Sequence, residues 1–237
     1  MSIFDIIIII MRFDIITIFP KIFDSYLNES IIKRAQKNKK IKINAINLRD
    51  FTKDKHRKVD EKPYGGGAGM VLMAEPLIEA VNHLKKSEKT HLVIFSAKGR
   101  QFNQKIAYDW VKKYDKIILI SGRYEGIDER VKTILKADEI SIGPYVLTDG
   151  DMAAMVVISA VSRLIPGVIK LESLEEESHW NLLLKKEAQV PEGKGLEYPH
   201  YTRPEIIKYK NKKYPVPKIF LSGDHKKIAA WRKTHQK

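Results

Sequence analysis

Hydrophobic positions along the chain fall into short runs, separated by stretches with helical spacing. Residues 13–19, FDIITIF, predict a strand, and residues 20–37 predict helix. Residues 41–48 alternate apolar and polar, the signature of a half-buried strand. A basic, glycine-rich loop follows to residue 70. Residues 76–86 predict a helix with Pro76 at its first position, where a missing N–H costs nothing. Three strands come next, at 91–96 (HLVIFS), 116–121 (KIILIS) and 139–142 (EISI). Helices over 104–113 and 128–136 separate them. Residues 151–165 are apolar almost all round, so the helix they predict is buried; Pro166-Gly167 ends it. Strands alternating with helices predict an α/β domain with a mostly parallel sheet.

The character of the chain changes after Gly167. An acidic, then lysine-bearing and glycine-punctuated segment to residue 194 predicts a flexible connector. The proline-rich YPHYTRPE follows at 198–205, then a basic tail with a helix over 224–234 and Asp224 as its N-cap. At the other end, MSIFDIIIIIMRF is strongly apolar. Its uninterrupted run, Ile6 to Met11, is far short of the roughly 20 residues of a membrane span. Two readings stay open for residues 1–10: an extension ahead of a second start at Met11, or an extra edge strand.

Charge changes the picture more than composition does. Lys and Arg number 43 against 29 Asp and Glu, a net charge of +14. Residues 208–237 hold ten Lys or Arg against one acid, Asp224, and residues 31–62 hold twelve against four. The acidic counterweight gathers at Glu172, Glu175, Glu176 and Glu177. This pattern fits a polyanionic partner with a separate chemical centre, and equally the solvated faces of a lysine-rich protein. The chain has no cysteine, which excludes disulfides, a thiolate nucleophile and cysteine-held metal sites. A cytoplasmic setting, with no membrane partner, is compatible with all of this.

Glycine loops carry the candidate chemistry. Ser96 to Gly99, Ser121 to Gly126, and Ser141 to Gly150 each follow one of the last three predicted strands. In α/β sheets ligands bind beyond the carboxyl ends of the strands. Three such loops in succession build one crevice that backbone can approach closely. The most glycine-rich stretch, YGGGAGM at 64–70, is no phosphate cradle. The chain has no Walker pattern and no GxGxxG between a first strand and its helix.

Six segments, in order, closely resemble bacterial tRNA (guanine-N1)-methyltransferases. They are NLRDFTKDKHRKVDEKPYGGGAGM, SAKGR, ISGRYEGIDERV, SIGPYVLTDGD, AVSRLIPGVI and PHYTRPE. The resemblance spans nearly the whole chain from Met11. It implies a SPOUT-type α/β fold with a deep C-terminal trefoil knot and a small helical C-terminal domain. It further implies a homodimer, S-adenosylmethionine as methyl donor, and tRNA with guanine at position 37 as substrate, with Mg²⁺ left open. The expected organisation is an extension (1–10), a knotted catalytic domain (11–169), a linker (170–195) and a tRNA-binding domain (196–237).

Carried over residue by residue, the family implies a carboxylate base at Glu177 and a charge-stabilising Arg163. Guanine N1 must lose its proton as it attacks, and negative charge then builds on O6, so a base and a cation are needed there. The cofactor positions are Ile94, Phe95, Ser96, Gly99, Gly122, Tyr124, Glu125, Gly126, Ser141, Ile142, Gly143, Tyr145, Val146, Leu147 and Gly150. The tRNA positions are Tyr64, Gly65, Gly66, Ser178, Glu197, His200, Tyr201 and Arg203. This chain departs from the pattern with Glu for Asp at 177, Pro for Asp at 144, Asp for Gly at 149, and a longer stretch after Ser178. Methylation of a ribose hydroxyl, and an RNA-binding protein with a decayed cofactor pocket, are the competing readings.

Overall fold

A computed structural model describes residues 10–84, 87–175 and 198–235. The chain divides into two compact units, Met1–Lys170 and Leu171–Lys237. Among the described residues the first unit begins with β1 (Met11–Thr17), a 3-10 turn, and two short helices, α1 (Asp24–Leu27) and α2 (Ser30–Lys37); the readings given for residues 1–9 fall outside the described residues. Then come β2 (Ile41–Asn47), β3 (Asp60–Glu61), β4 (Val71–Leu72) and α3 (Ala74–His83). The remainder alternates strictly: β5 (Thr90–Gln101), α4 (Gln104–Lys113), β6 (Lys116–Ile120), α5 (Glu129–Leu135), β7 (Asp138–Ser141) and α6 (Asp151–Ser162).

Five strands form one sheet in the order β2-β1-β6-β5-β7, parallel throughout. The apolar runs are continuous rather than alternating because both faces are covered. Phe13, Ile15, Ile117 and Leu119 enter one core with Trp110 of α4 and Val157 and Val161 of α6. Their neighbours Ile16, Ile118 and Ile120 enter the other with Leu77 and Val81 of α3 and Val131 of α5. The two-residue period of a strand thus feeds two cores, each such side chain contributing about 1.5–3 kcal/mol by burial.

One charge lies inside this sheet. Asp14 is fully buried, accepting from Asn44 at 2.6 Å and Arg12 at 3.0 Å, with Lys116 Nζ at 2.9 Å. Burial pushes its carboxyl up. The hydrogen bonds from Asn44, Lys116 and Arg12 outweigh that and hold it below the usual carboxylate range.

Several boundaries differ from the sequence expectation. The helix expected over 20–37 is broken, with Ser30 at a φ of 50°. Pro76 is the third residue of α3, not its first, but still lies in the turn whose N–H groups have no partner inside the helix. Helix α6 stops at Ser162 rather than 165. Most consequentially, β5 continues to Gln101, so Ser96 to Gly99 is strand and not loop. Its pairing with β7 shifts register between Phe95 and Arg100, a bulge that sequence periodicity does not reveal.

The second unit holds α7 (Leu171–Glu175), a hairpin of β8 (Ile206–Tyr209) and β9 (Lys212–Pro215), and α8 (His225–Thr234). Asp224 caps α8, accepting from Lys227 N–H at 3.1 Å, as expected. The hairpin was not expected in a helical domain. Its two-residue turn has Lys210 and Asn211 both at positive φ, the primed geometry usually signalled by Asn-Gly.

Candidate active site

Because β5, β6 and β7 run parallel, the segments leaving them converge on one edge. A cavity of about 460 Å³ lies there. Strand β5 supplies Ile94, Phe95 and Ser96 to its lining; the segment after β6 supplies Gly122, Tyr124, Glu125 and Gly126. The segment after β7 supplies Ser141, Ile142, Tyr145, Val146, Leu147 and Gly150. Two of the cofactor positions expected from the sequence, Gly99 and Gly143, do not line it. A Cβ on Gly99 would lie 2.7 Å from the carbonyl oxygen of Glu139, so this glycine serves the approach of two strands. A Cβ on Gly143 would fall on the Tyr145 ring.

Two of the lining segments meet through backbone. Gly150 donates to the Gly122 carbonyl at 2.8 Å. A Cβ on Gly150 would come within 2.8 Å of Gly122 N and 3.0 Å of Ser121 Cα. Side chains then lock the same junction. Asp151 is fully buried and accepts from Thr17 Oγ1 at 2.7 Å and from Arg123 at 2.9 Å. Asp149 Oδ2 lies 3.3 Å from the same Arg123 nitrogen, while its Oδ1 accepts from the first N–H groups of α6, Asp151 at 2.9 Å and Met152 at 3.3 Å. The guanidinium also stands 4.5 Å from the Phe19 ring. Asp149, expected to add a side chain where a bare backbone is usual, lines the cavity and also bonds the first N–H groups of α6 and pairs with a cation.

A second set of charges lines the cavity. Lys132 Nζ contacts Glu139 at 2.6 Å, and Lys98 Nζ contacts Glu129 at 3.1 Å and Glu139 at 3.7 Å. Burial pushes the Glu139 carboxyl up, but hydrogen bonds from Lys132 and Ser96 and the two lysine charges hold it below its ordinary value. Lys98 and Arg123 lie in segments the sequence assigned to the crevice, without a role of their own; Glu129, Lys132 and Glu139 were missed as wall residues. Basic and acidic side chains at equal intervals look the same whether they form a network or face water.

The YGGGAGM stretch adjoins this cavity. Glu125 N–H donates to the Met70 carbonyl and Leu72 N–H to that of Gly126, each at 3.0 Å. Gly69 has a φ of 74°, and a Cβ there would collide with the Glu125 carboxylate. The positive φ favours glycine there, whereas the exposed Glu125 side chain can swing aside. Gly65 and Gly66 have positive φ and open surroundings, and Tyr64 is fully exposed.

The proposed reacting groups are not gathered around the cavity among the described residues. Arg163 sits half-buried just past α6, its N–H bonded to the Ser159 carbonyl, and does not line the cavity. Glu177, Ser178 and Glu197 lie outside the described residues. His200, Tyr201 and Arg203 are exposed in the second unit. Among the described residues no group of His, Asp or Glu could hold a metal ion, and no helix is long and apolar enough to cross a membrane.

The chain matches the family model described as tRNA (Guanine-1)-methyltransferase TrmD over residues 11–237. It is 52% identical over 225 residues to a tRNA (guanine-N(1)-)-methyltransferase of Thermomicrobium roseum, covering 94% of this chain and 78% of that one. A protein of the same name from Carboxydothermus hydrogenoformans is 49% identical over 224 residues, covering 94% and 81%. Another, from Ruminiclostridium cellulolyticum, is 46% identical over 225 residues, covering 94% and 89%.

Proposed function

The chain belongs to the tRNA (guanine-1)-methyltransferase family, and on that premise we propose that it methylates N1 of guanine at position 37 of tRNA, with S-adenosylmethionine as donor. The observation that carries the reading is the cavity at the carboxyl edge of the parallel sheet, walled mainly by backbone-rich segments.

The residues present fit that donor. A cavity of about 460 Å³ is in the range of small-molecule sites, which run from about 300 to 1,000 Å³. Ile142, Tyr145, Val146 and Leu147 offer backbone groups and apolar surface for a purine. Glu125 offers a carboxylate to a cationic end. When bound, S-adenosylmethionine supplies a methyl group on a sulfonium centre. Glu177 accepts the N1 proton of guanine, and Arg163 donates to O6 as charge builds there. The Arg123 clamp holds the junction of two wall segments, so the cavity is organised before ligand arrives. We take the passage of Gly150 against Gly122 as the crossing of a trefoil knot. The exposed apolar groups Ile22, Met152 and Val156 we take as part of a surface joining two copies.

Methyl transfer from labelled S-adenosylmethionine to a transcript with guanines at 36 and 37 tests the reading. The expected product is 1-methylguanine at 37, with Glu177→Gln slower by about 10²–10⁴-fold, the usual worth of a general base. Equal rates in both proteins would move the base elsewhere. No product from either would sink the reading.

A further inference from the structure

The second unit contains its own cavity, of about 380 Å³, between residues 198–201 and α8. Rings of Tyr198, His200, Tyr201 and Phe220 line one side of it. The framework behind them is aromatic. Phe220 meets Trp231 edge-on at 4.7 Å, and Tyr201 lies 5.4 Å from Phe220. From α8, Arg232 lays its guanidinium over the Tyr198 ring at 4.6 Å. Arg232 itself lines the cavity. The residue as a whole is half-buried, so the guanidinium reinforces the aromatic wall. Residues 198–235 carry ten Lys or Arg against two acids, Glu205 and Asp224.

We propose that this cavity is a subsite for one unstacked nucleobase of the tRNA, distinct from the guanine that is methylated. The inference rests on the tRNA reading above and adds a second anchoring point to it. Flat rings beside a guanidinium plane suit a heteroaromatic base, which every nucleotide carries and which stacks on both kinds of surface. An aliphatic peptide side chain would fill the space but offer these rings no flat face to stack on. The surrounding lysines neutralise the phosphates on either side of the splayed base.

The test is a double-mutant cycle on full-length protein. Equilibrium binding is measured for a tRNA transcript and for a series in which each anticodon-loop nucleotide in turn is made abasic. Wild type is compared with His200→Ala and Arg232→Lys, neither of which removes a permanent charge. Each substitution is expected to weaken intact tRNA by about 5- to 150-fold, the worth of one stacked base, with the salt dependence unchanged. One abasic position other than 37 should weaken wild type by a similar factor and weaken the variants no further. A phosphate-only role would instead appear as weakening spread evenly over all abasic transcripts, and it would overturn the proposal. So would variants that bind as wild type does, which would leave the cavity to another segment of the chain. Circular dichroism melts exclude misfolding, since a folded variant retains the wild-type midpoint. Formation of 1-methylguanine by wild type is read in parallel. Product without coupling removes the subsite alone, whereas no product removes the tRNA reading beneath it.

Discussion

Replacing Asp151 by alanine tests whether the clamp beneath the cavity is structural. The carboxylate is fully buried and has two partners, Thr17 Oγ1 at 2.7 Å and Arg123 at 2.9 Å. Its removal leaves the threonine hydroxyl without its acceptor, at a cost of about 1–3 kcal/mol, and removes a charged hydrogen bond worth about 1.5–3 kcal/mol. An acid in the first turn of α6 is also lost, worth about 0.3–1 kcal/mol at a helix N-terminus. Two effects offset part of this. Arg123 keeps Asp149 at 3.3 Å, and it is 19% exposed, so water relieves some of its stranded charge. The net expectation is about 3 kcal/mol, at the low end for breaking a buried pair. For a domain of this size each kcal/mol lowers the midpoint by about 2–4 °C, so the melt should shift by about 6–12 °C. Asp151→Asn, which keeps an acceptor for Thr17, should lose about half as much. The assay is thermal unfolding of the full chain by circular dichroism, with Arg123→Met as the partner in a double-mutant cycle. A loss below about 1 kcal/mol for Asp151→Ala, or strict additivity with Arg123→Met, would refute the reasoning.

Gly150→Ala puts a methyl 2.8 Å from Gly122 N, which as backbone cannot step aside, so overpacking of about 1–3 kcal/mol is expected. The same variant should lose most of the thermal stabilisation by S-adenosylmethionine, about 2.7 kcal/mol for wild type at a hundred times the dissociation constant. Gly66→Val forces a branched residue into a φ of 79°, costing about 1–2 kcal/mol; methyl transfer should fail while the protein melts within about 8 °C of wild type. The buried carboxyl of Asp14 titrates below its unfolded value, so the stability it contributes is present above about pH 4 and is lost as pH falls through the lower folded value. Asp14→Asn should therefore flatten the acid limb of a stability–pH curve below about pH 4, and an unchanged limb would argue against the reading.

How much of the fold could be read from sequence depends on what each signal reports. Hydrophobic period reports burial, and burial on both faces of a parallel sheet is what Phe13, Ile16, Ile117 and Ile118 display. The helix starts at Asp128 and Asp224 follow from capping chemistry that a short stretch carries by itself. Glycine is less specific. At Gly99 it permits two strands to touch, and at Gly69 it supplies a positive φ. In the β8–β9 turn, where positive φ favours glycine, the chain places Lys210 and Asn211 instead. A reading that equates glycine with loop therefore misses the bulge in β5 and the β8–β9 hairpin together.

The site itself was legible as a place but not as an assembly of contacts. Lining residues such as Tyr145 and Leu147 were found because they follow strands in a shared motif. The charges that hold the walls were not, because a pairing between Arg123 and Asp149 or Asp151 spans more than 25 residues and leaves no local trace. Compared with the family pattern, Asp149 reads as damage to a cofactor loop. In the folded chain its two oxygens have separate partners, one closing the N-terminus of α6 and the other facing Arg123. That division separates the damage reading from the clamp reading by experiment. Asp149→Gly restores the family residue and frees two N–H donors of α6, which should cost about 0.5–2 kcal/mol. If Asp149 impairs the cofactor loop, the glycine variant should bind S-adenosylmethionine more tightly despite melting lower. If it supports the clamp, stability and affinity should fall together, and that is the outcome expected here.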